Sequence, residues 1–191
     1  LNIMDVDTHM AGVYPTKGKA VDYILPCLIN FWQEVGKPDF LQLDNELSFH
    51  GSNRYPHGFG KVIRFALSQR VTVIFIPIKE PWRNGVIEKF NDTFDKKFFR
   101  RKVFTDYDGM VKGAREFMDF HNEHHRYSVI GGRTPKQEFL ISGYKNLLSP
   151  DYKPPKIFEY EEGEIILVRF IRSDRKLVIF SEVFLMPVET V

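Results

Sequence analysis

Along this chain the apolar residues switch repeatedly between strand-like runs and helical spacing. LNIMDVDT and HMAGVY cluster apolar residues over strand lengths, and YPTKGK, with Pro15 and Gly18, reads as a turn, so two strands open the chain. From Lys19 to Val35, Val21, Ile24, Leu25, Leu28, Ile29 and Trp32 recur at helical spacing, which predicts a helix stopped by Gly36 and Pro38, with a kink at Pro26. PDFLQLD predicts a short strand ending in Asp44. A polar loop from Ser48 to Gly60 follows, then a helix over Lys61 to Gln69 with Val62, Phe65 and Ala66 as its inner face. VTVIFIPI, residues 71–78, is β-branched and aromatic throughout, as in a strand covered on both faces. After KEPWRNG, a helix begins near Gly85 with Asn84 as N-cap and an apolar stripe of Ile87, Phe90, Phe94 and Phe98. Residues 106–126 form a further helix with Met110, Ala114, Phe117, Met118 and His121 on adjoining turns, and GGRTPKQEF closes the unit.

Strands interleaved with helices specify an α/β sheet flanked by helices, and this first domain is expected to span residues 1–144. Pro150, Pro154 and Pro155 make residues 145–158 an extended linker. Beyond it, EIILVRFI and KLVIFSEVFLMPV flank the turn SDRK, which predicts a small antiparallel β module over residues 159–191, short enough to be an incomplete barrel.

Composition adds limits. A chain of 191 residues, 43% hydrophobic and 15% aromatic, can bury one core and a small satellite. Lys plus Arg (27) nearly balances Asp plus Glu (25), so any nucleic-acid footprint must be local. Cys27, the one cysteine, lies in the apolar run YILPCLINF; an internal disulfide is excluded and a buried, inert thiol is expected. No apolar stretch approaches the ~18 residues of a membrane span, so a soluble, cytoplasmic protein is expected. The sequence opens at Leu1 within a strand and without an initiating methionine, as a fragment does.

The candidate chemistry centres on two carboxylates. Asp44 ends a strand, where open α/β sheets place their ligand crevice, and Glu88 lies in the first turn of a helix reached through another strand. Carboxylates drawn into one cleft repel unless a hard cation neutralises them, and Mg²⁺ prefers a few carboxylate oxygens plus phosphate. Two such ions about 3.5 to 4 Å apart activate the attacking oxygen and stabilise the leaving one in displacement at phosphorus. The alternative is structural: Asp-Asn is common turn chemistry, and a Glu in a first helical turn complements the helix dipole. From Glu88 to Lys102, Lys89, Lys96, Lys97, Arg100, Arg101 and Lys102 outnumber Glu88, Asp92 and Asp95, a candidate phosphate-contacting face; the competing reading is a solvated helix face with Asp92 and Lys96 paired at i,i+4. Trp82 and Arg83 lie on the loop just before the Glu88 helix, where Trp82 can serve as a packing anchor. His121 and His125 share a helix face as a zinc pair does, although no second half-site accompanies them.

LDNELSF, FIPIKEPWRNGVIEKFND and FHNEHHRYSVIGGRTPKQEF resemble, in order, successive motifs of the retroviral-type integrase core shared with many bacterial DDE transposases, over roughly residues 1–142. The resemblance implies a ribonuclease H-like mixed sheet flanked by helices. It makes Asp44 and Glu88 ligands of Mg²⁺ or Mn²⁺, with Asn84, Gly85 and Asn91 in the same motif as Glu88. The interval between the two carboxylates exceeds the family's usual spacing, and the polar loop from Phe49 to Gly60 can hold the excess. MDVDTHMAGVYPTKGKA resembles the family's second and third strands, which places Asp5 at a usually non-catalytic position and the first ligand of the triad upstream of Leu1, with Asp5 or Asp7 as the alternative ligand; the resemblance also puts Trp82 and Arg83 on the family's active-site loop, as candidates to touch DNA. GEIILVRFIRSDRKLVIFSEVF resembles the start of the SH3-like barrel that follows many such cores, where Arg169, Arg172, Arg175 and Lys176 suit DNA binding.

The resemblance therefore implies a metal-dependent polynucleotidyl transferase for DNA integration or transposition. It would act on element ends and target DNA as a homo-oligomer in the cytoplasm, at the nucleoid of a bacterial-type cell, with Arg83, Lys89, Lys96, Lys97, Arg100 and Arg101 on DNA. A catalytically inactive DNA-binding relative and another ribonuclease H-like nuclease are the competing functions.

Overall fold

A computed structural model of the chain describes residues 1–44, 58–76, 81–144, 146–158, 164–171, 173–179 and 182–187. Most of the polar loop over 48–60, the last two residues of the 71–78 strand, the Trp82 side chain and Arg172 lie outside the described residues. The chain divides into two compact units, each built from two separate stretches: residues 1–37 with 84–150, and residues 38–83 with 151–191. The architecture is mixed α/β, with a parallel sheet and helices, and is compatible with a ribonuclease H-like integrase core.

In the first unit, β1 (Asn2–Met4) and β2 (Ala11–Val13) pair antiparallel, with Ile3 opposite Gly12. Between them Asp5 shapes the turn: its carboxylate accepts from the Thr8 backbone N–H at 2.9 Å and from the Thr8 hydroxyl. Helix α1 (Val21–Glu34) buries Ile24, Leu25, Cys27, Leu28, Ile29, Phe31 and Trp32. Pro26 sits inside it on the exposed side. The expected stop is observed: Gly36 takes φ 127°, a conformation that β-carbon-bearing residues rarely adopt. Cys27 is buried, as expected, its Sγ 3.1 Å from the Tyr23 carbonyl oxygen, and burial raises its thiol pKa.

Helix α3 (Gly85–Phe94) runs against β1 and passes directly into a π turn over Asp95–Phe99. An interval of four, from Phe90 to Phe94 to Phe98, slightly overshoots the 3.6-residue period, and the wider π turn keeps Phe98 facing inward. Helix α4 (Tyr107–His124) packs on β2, its first turn capped by Asp106, whose carboxylate accepts from the Gly109 N–H at 2.6 Å. Ala11, Val13, Phe90, Phe98, Ala114 and Met118 form the core of this unit, with Met4, Ile87, Phe94, Phe104 and Phe117 packed around it. Helix α5 (Pro135–Ser142) opens with a complete capping box: Thr134 and Gln137 each bond the other's backbone N–H, and Pro135 occupies the first turn. The TPKQ of GGRTPKQEF is therefore a helix start.

The second unit is a three-stranded parallel sheet. β3 (Phe40–Leu43) pairs with β4 (Thr72–Phe75), and helix α2 (Lys61–Ser68) covers β4 with the expected face of Val62, Phe65 and Ala66, joined by Ile63. β4 departs from expectation. Val73 and Phe75 are buried, but the alternate residues Thr72 and Ile74 are only partly so, so one face alone is fully covered. The third strand, β5 (Leu167–Arg169), is a larger departure: it pairs parallel to β4, with Val73 opposite Leu167 and Phe75 opposite Arg169. The expected antiparallel pairing across SDRK is replaced by a hairpin one strand later, β6 (Lys176–Ile179) with β7 (Glu182–Leu185). Among residues 146–158 no helix or strand forms, yet the chain is anchored: the Tyr152 and Phe158 rings pack tilted against Phe65 at 5.8 and 6.4 Å in the second unit, and in the first the Leu148 N–H donates to the Trp32 carbonyl at 3.0 Å.

Candidate functional site

The carboxyl ends of β3, β4 and β5 form one edge of the parallel sheet. Asp44, Ile76 and Phe170 are each the first residue beyond their strand, and the Ile76 N–H donates to the Leu43 carbonyl at 3.1 Å, which carries the ladder to this row. Asp44 is half-buried there, at the position where such sheets hold ligands. Gln42, two residues earlier and on the same side of the strand, donates through Nε2 to the Arg83 carbonyl at 3.1 Å. The 3-10 turn Pro81–Asn84 is thus held to this side of the sheet, and the exposed Arg83 guanidinium lies 4.6 Å from the centre of the Phe170 ring. On the opposite side Arg169 stacks on Phe75 at 3.9 Å, and burial lowers its pKa.

Glu88 belongs to the other unit. It is exposed in the first turn of α3 and makes no hydrogen bond or ion pair with the described residues. Asn84 takes the N-cap position but forms no side-chain cap hydrogen bond. Asn91, one turn beyond Glu88, accepts from the Asn2 side chain at 2.8 Å and so ties α3 to β1.

The basic face divides in two. Lys96 pairs with Asp92 at 2.8 Å, the i,i+4 pair the sequence offers, Arg100 pairs with Asp95 at 2.6 Å, and Lys102 reaches Glu116 at 3.6 Å. Lys89, Lys97 and Arg101 are exposed and form no ion pair among the described residues. Among the described residues, these three have no carboxylate to surrender on meeting an anion.

His9, His121 and His125 form a stacked cluster with Tyr127, in which His9 and His121 are buried and His125 half-buried. The His121 and His125 rings lie 5.0 Å apart with planes 12° from parallel, Tyr127 Oη is 3.1 Å from His121 Nε2, and His9 stacks on Tyr127 at 4.2 Å. Parallel rings do not converge their nitrogens on a point, and among the described residues no group of three or more His, Cys, Asp or Glu is arranged to hold a metal. Burial, then the neighbouring His125, His9 and Lys97, pushes the His121 pKa down to about 3, so the ring is neutral at physiological pH. Asn122 completes the cluster's role: its amide donates to the Ala11 carbonyl and accepts from the Ala11 N–H, both at 2.9 Å, binding α4 to β2. FHNEHHRY is therefore scaffold. His9, Asn2 and Phe170 carry no local signal that singles them out in the sequence.

Residues 69–135, about a third of the chain, match the family model described as an integrase core domain. The match runs from the end of α2 through β4, the Glu88 helix and α4 to the start of α5, and it supports an integrase or transposase catalytic core. No curated protein matches the chain. Among the described residues no helix is long and apolar enough to cross a membrane.

Proposed function

We propose that this chain carries the catalytic core of a DDE-type polynucleotidyl transferase that cuts DNA and joins the exposed 3′ hydroxyl to a target strand. The observation that carries the reading is the match to an integrase core over 69–135, which contains Glu88 in a first helical turn, together with Asp44 at the carboxyl end of a parallel strand. Asp44 and Glu88 would hold Mg²⁺ or Mn²⁺; both offer hard oxygen donors, and Glu88 has no partner among the described residues to give up. The metal, when bound, supplies charge neutralisation at the reacting phosphate. Lys89, Lys97 and Arg101, with Lys96, Arg100 and Arg83, would hold the DNA backbone without reading its sequence. Since β5 joins the parallel sheet, only the β6–β7 hairpin of residues 159–191 would begin an SH3-like module, and the protein would act on DNA as a homo-oligomer.

The test is a strand-transfer assay on the full-length chain with oligonucleotide ends and plasmid target in Mg²⁺ or Mn²⁺. Asp44→Asn and Glu88→Gln should each lower joining by more than about 100-fold, since loss of a mere supporting group around a metal already costs 10- to 100-fold. Full joining by either variant removes the ligand assignment. Cutting without joining indicates a ribonuclease H-like nuclease, and DNA binding without either reaction indicates an inactive relative.

A further inference from the structure

The scaffold built by FHNEHHRY leaves one imidazole at its rim. His125 is the C-cap of α4, half-buried, and its backbone N–H donates to the His121 carbonyl at 3.1 Å. Its ring stacks on His121 at 5.0 Å and meets Tyr127 in an edge contact at 4.7 Å, and neither ring nitrogen makes a hydrogen bond among the described residues. Lys97, in the π turn, is exposed and forms no ion pair among the described residues. It lies close by: burial, then Lys97 and His9, lowers the His125 pKa. His9 approaches from the turn between β1 and β2. It is only 7% exposed, holds φ 60°, a left-handed conformation that side-chain-bearing residues rarely adopt, and buries an Nδ1 that finds no hydrogen-bond partner among the described residues.

The titratable and charged groups facing His125 are thus His121 on α4, Lys97 on the π turn, His9 on the β1–β2 turn and Tyr127 beyond α4. Burial lowers the His9 pKa against the pull of Asp5 and Asp7, whereas His121 and His125 have no carboxylate partner among the described residues. A fixed cation and protonatable donors therefore converge without a counter-charge, and the C-terminal end of the α4 dipole favours a positive charge on His125. An anion is the ligand that completes such a set.

We propose that Lys97 and His125, backed by His9, form a phosphate-binding site that takes a backbone phosphodiester of DNA together with a proton from solvent on His125. The inference rests on the proposed DNA-processing function and adds to it a DNA contact apart from the two candidate carboxylates. A phosphate beside the imidazole offsets the charge of Lys97, so the ring protonates more readily with DNA bound than without. Binding and protonation are then linked: affinity rises as pH falls from above the bound-state pKa toward the lower free-state pKa, at up to about tenfold per pH unit for one proton.

The test uses the full chain, ¹⁵N-labelled at histidine, in EDTA between pH 8 and 6. Histidine titrations are followed by NMR for the chain alone, with inorganic phosphate and with a short duplex of arbitrary sequence, while anisotropy of the same duplex across a KCl series gives the affinity. Duplex should raise the His125 midpoint and leave His121 neutral. Wild type should bind several-fold more tightly at pH 6 than at pH 8, and His125→Gln should lose most of that gain. Lys97→Gln should reduce the slope of log affinity against log salt by about 0.9, the value of one phosphate contact. A His125 that only packs would alter thermal stability and leave the pH gain in place. Should His125→Gln fold poorly, the exposed Lys97→Gln carries the test, because it should also raise the His125 midpoint in the free chain. A His125 midpoint unmoved by duplex, or equal pH gains in wild type and His125→Gln, overturns the proposal, and so does a midpoint that responds to inorganic phosphate but not to duplex. If wild type still joins DNA in an Asp44-dependent manner, the proposed function stands without this site. Failure of the wild-type chain both to bind the duplex and to join ends removes both readings together.

Discussion

Replacing Asn122 with leucine should be among the most damaging single changes outside the candidate site. The amide is buried, with 6% of its surface exposed, and its two hydrogen bonds satisfy both polar groups of Ala11 on the outer edge of β2. Leucine matches its size and removes both bonds, leaving a backbone N–H and a carbonyl shut away from water at a cost of about 1 to 3 kcal/mol each. Partial relaxation toward solvent brings the total to roughly 3 kcal/mol, or about 6 to 12 °C in Tm for a chain of this size. Urea unfolding followed by far-ultraviolet circular dichroism measures it. Asn122→Asp gives a second reading: as a carboxylate it accepts from the Ala11 N–H but faces the carbonyl without a proton, whereas the neutral acid can donate. Its pKa in the folded state is therefore raised. Relative to wild type, its stability is greatest below the unfolded value of about 3.9 and falls as pH rises from there to the raised folded value. A leucine variant within about 0.5 kcal/mol of wild type, the range of an ordinary surface change, would refute the reasoning.

The histidine cluster sets the acid limit of the fold. His121 titrates near 3 in the folded chain and near 6.5 unfolded, so the unfolded state binds the extra proton first and stability is lost as pH falls from about 6.5, at up to about 1.4 kcal/mol per pH unit from this residue. The lowered values of His9 and His125 act in the same direction. Urea midpoints between pH 7 and 4 should decline less steeply in His121→Gln than in wild type, and parallel slopes would contradict it. A β-carbon at Gly12 would lie 2.7 Å from both the Phe31 and Tyr14 rings, so Gly12→Ala should cost about 1 to 3 kcal/mol, read as a drop in Tm. Asp5→Asn should keep strand transfer within about threefold of wild type, because that carboxylate is spent on the Thr8 turn; a loss as large as that of Asp44→Asn would make Asp5 a ligand.

The helices and the placement of both candidate carboxylates were legible because they depend on local pattern. The α1 and α2 faces follow from apolar spacing, and Asp44 and Glu88 stand where the strand-end and first-turn readings put them. β5 was not legible: LVR is short, and nothing in it distinguishes an antiparallel neighbour across SDRK from a parallel one almost a hundred residues earlier. The Arg83–Phe170 contact follows from that pairing and was hidden with it. The π turn was present in the sequence as a strict four-residue phenylalanine interval, a signal that a helical stripe absorbs without remark. The histidines attracted a ligand reading because i,i+4 spacing puts rings on one face, but spacing does not tell whether rings converge or stack.

The parallel pairing of β5 with β4 also bears on how the chain is made. β3 and β4 leave the ribosome well before the strand that covers the outer edge of β4, which follows them by roughly ninety residues. During that interval Val73 and Phe75 lie on a sheet with an open hydrogen-bonding edge, the situation in which unfinished chains pair with one another. Nascent chains halted before Leu167 should therefore depend on chaperones far more than chains released after Phe170. A stop codon between the two would yield aggregate in place of a trimmed core.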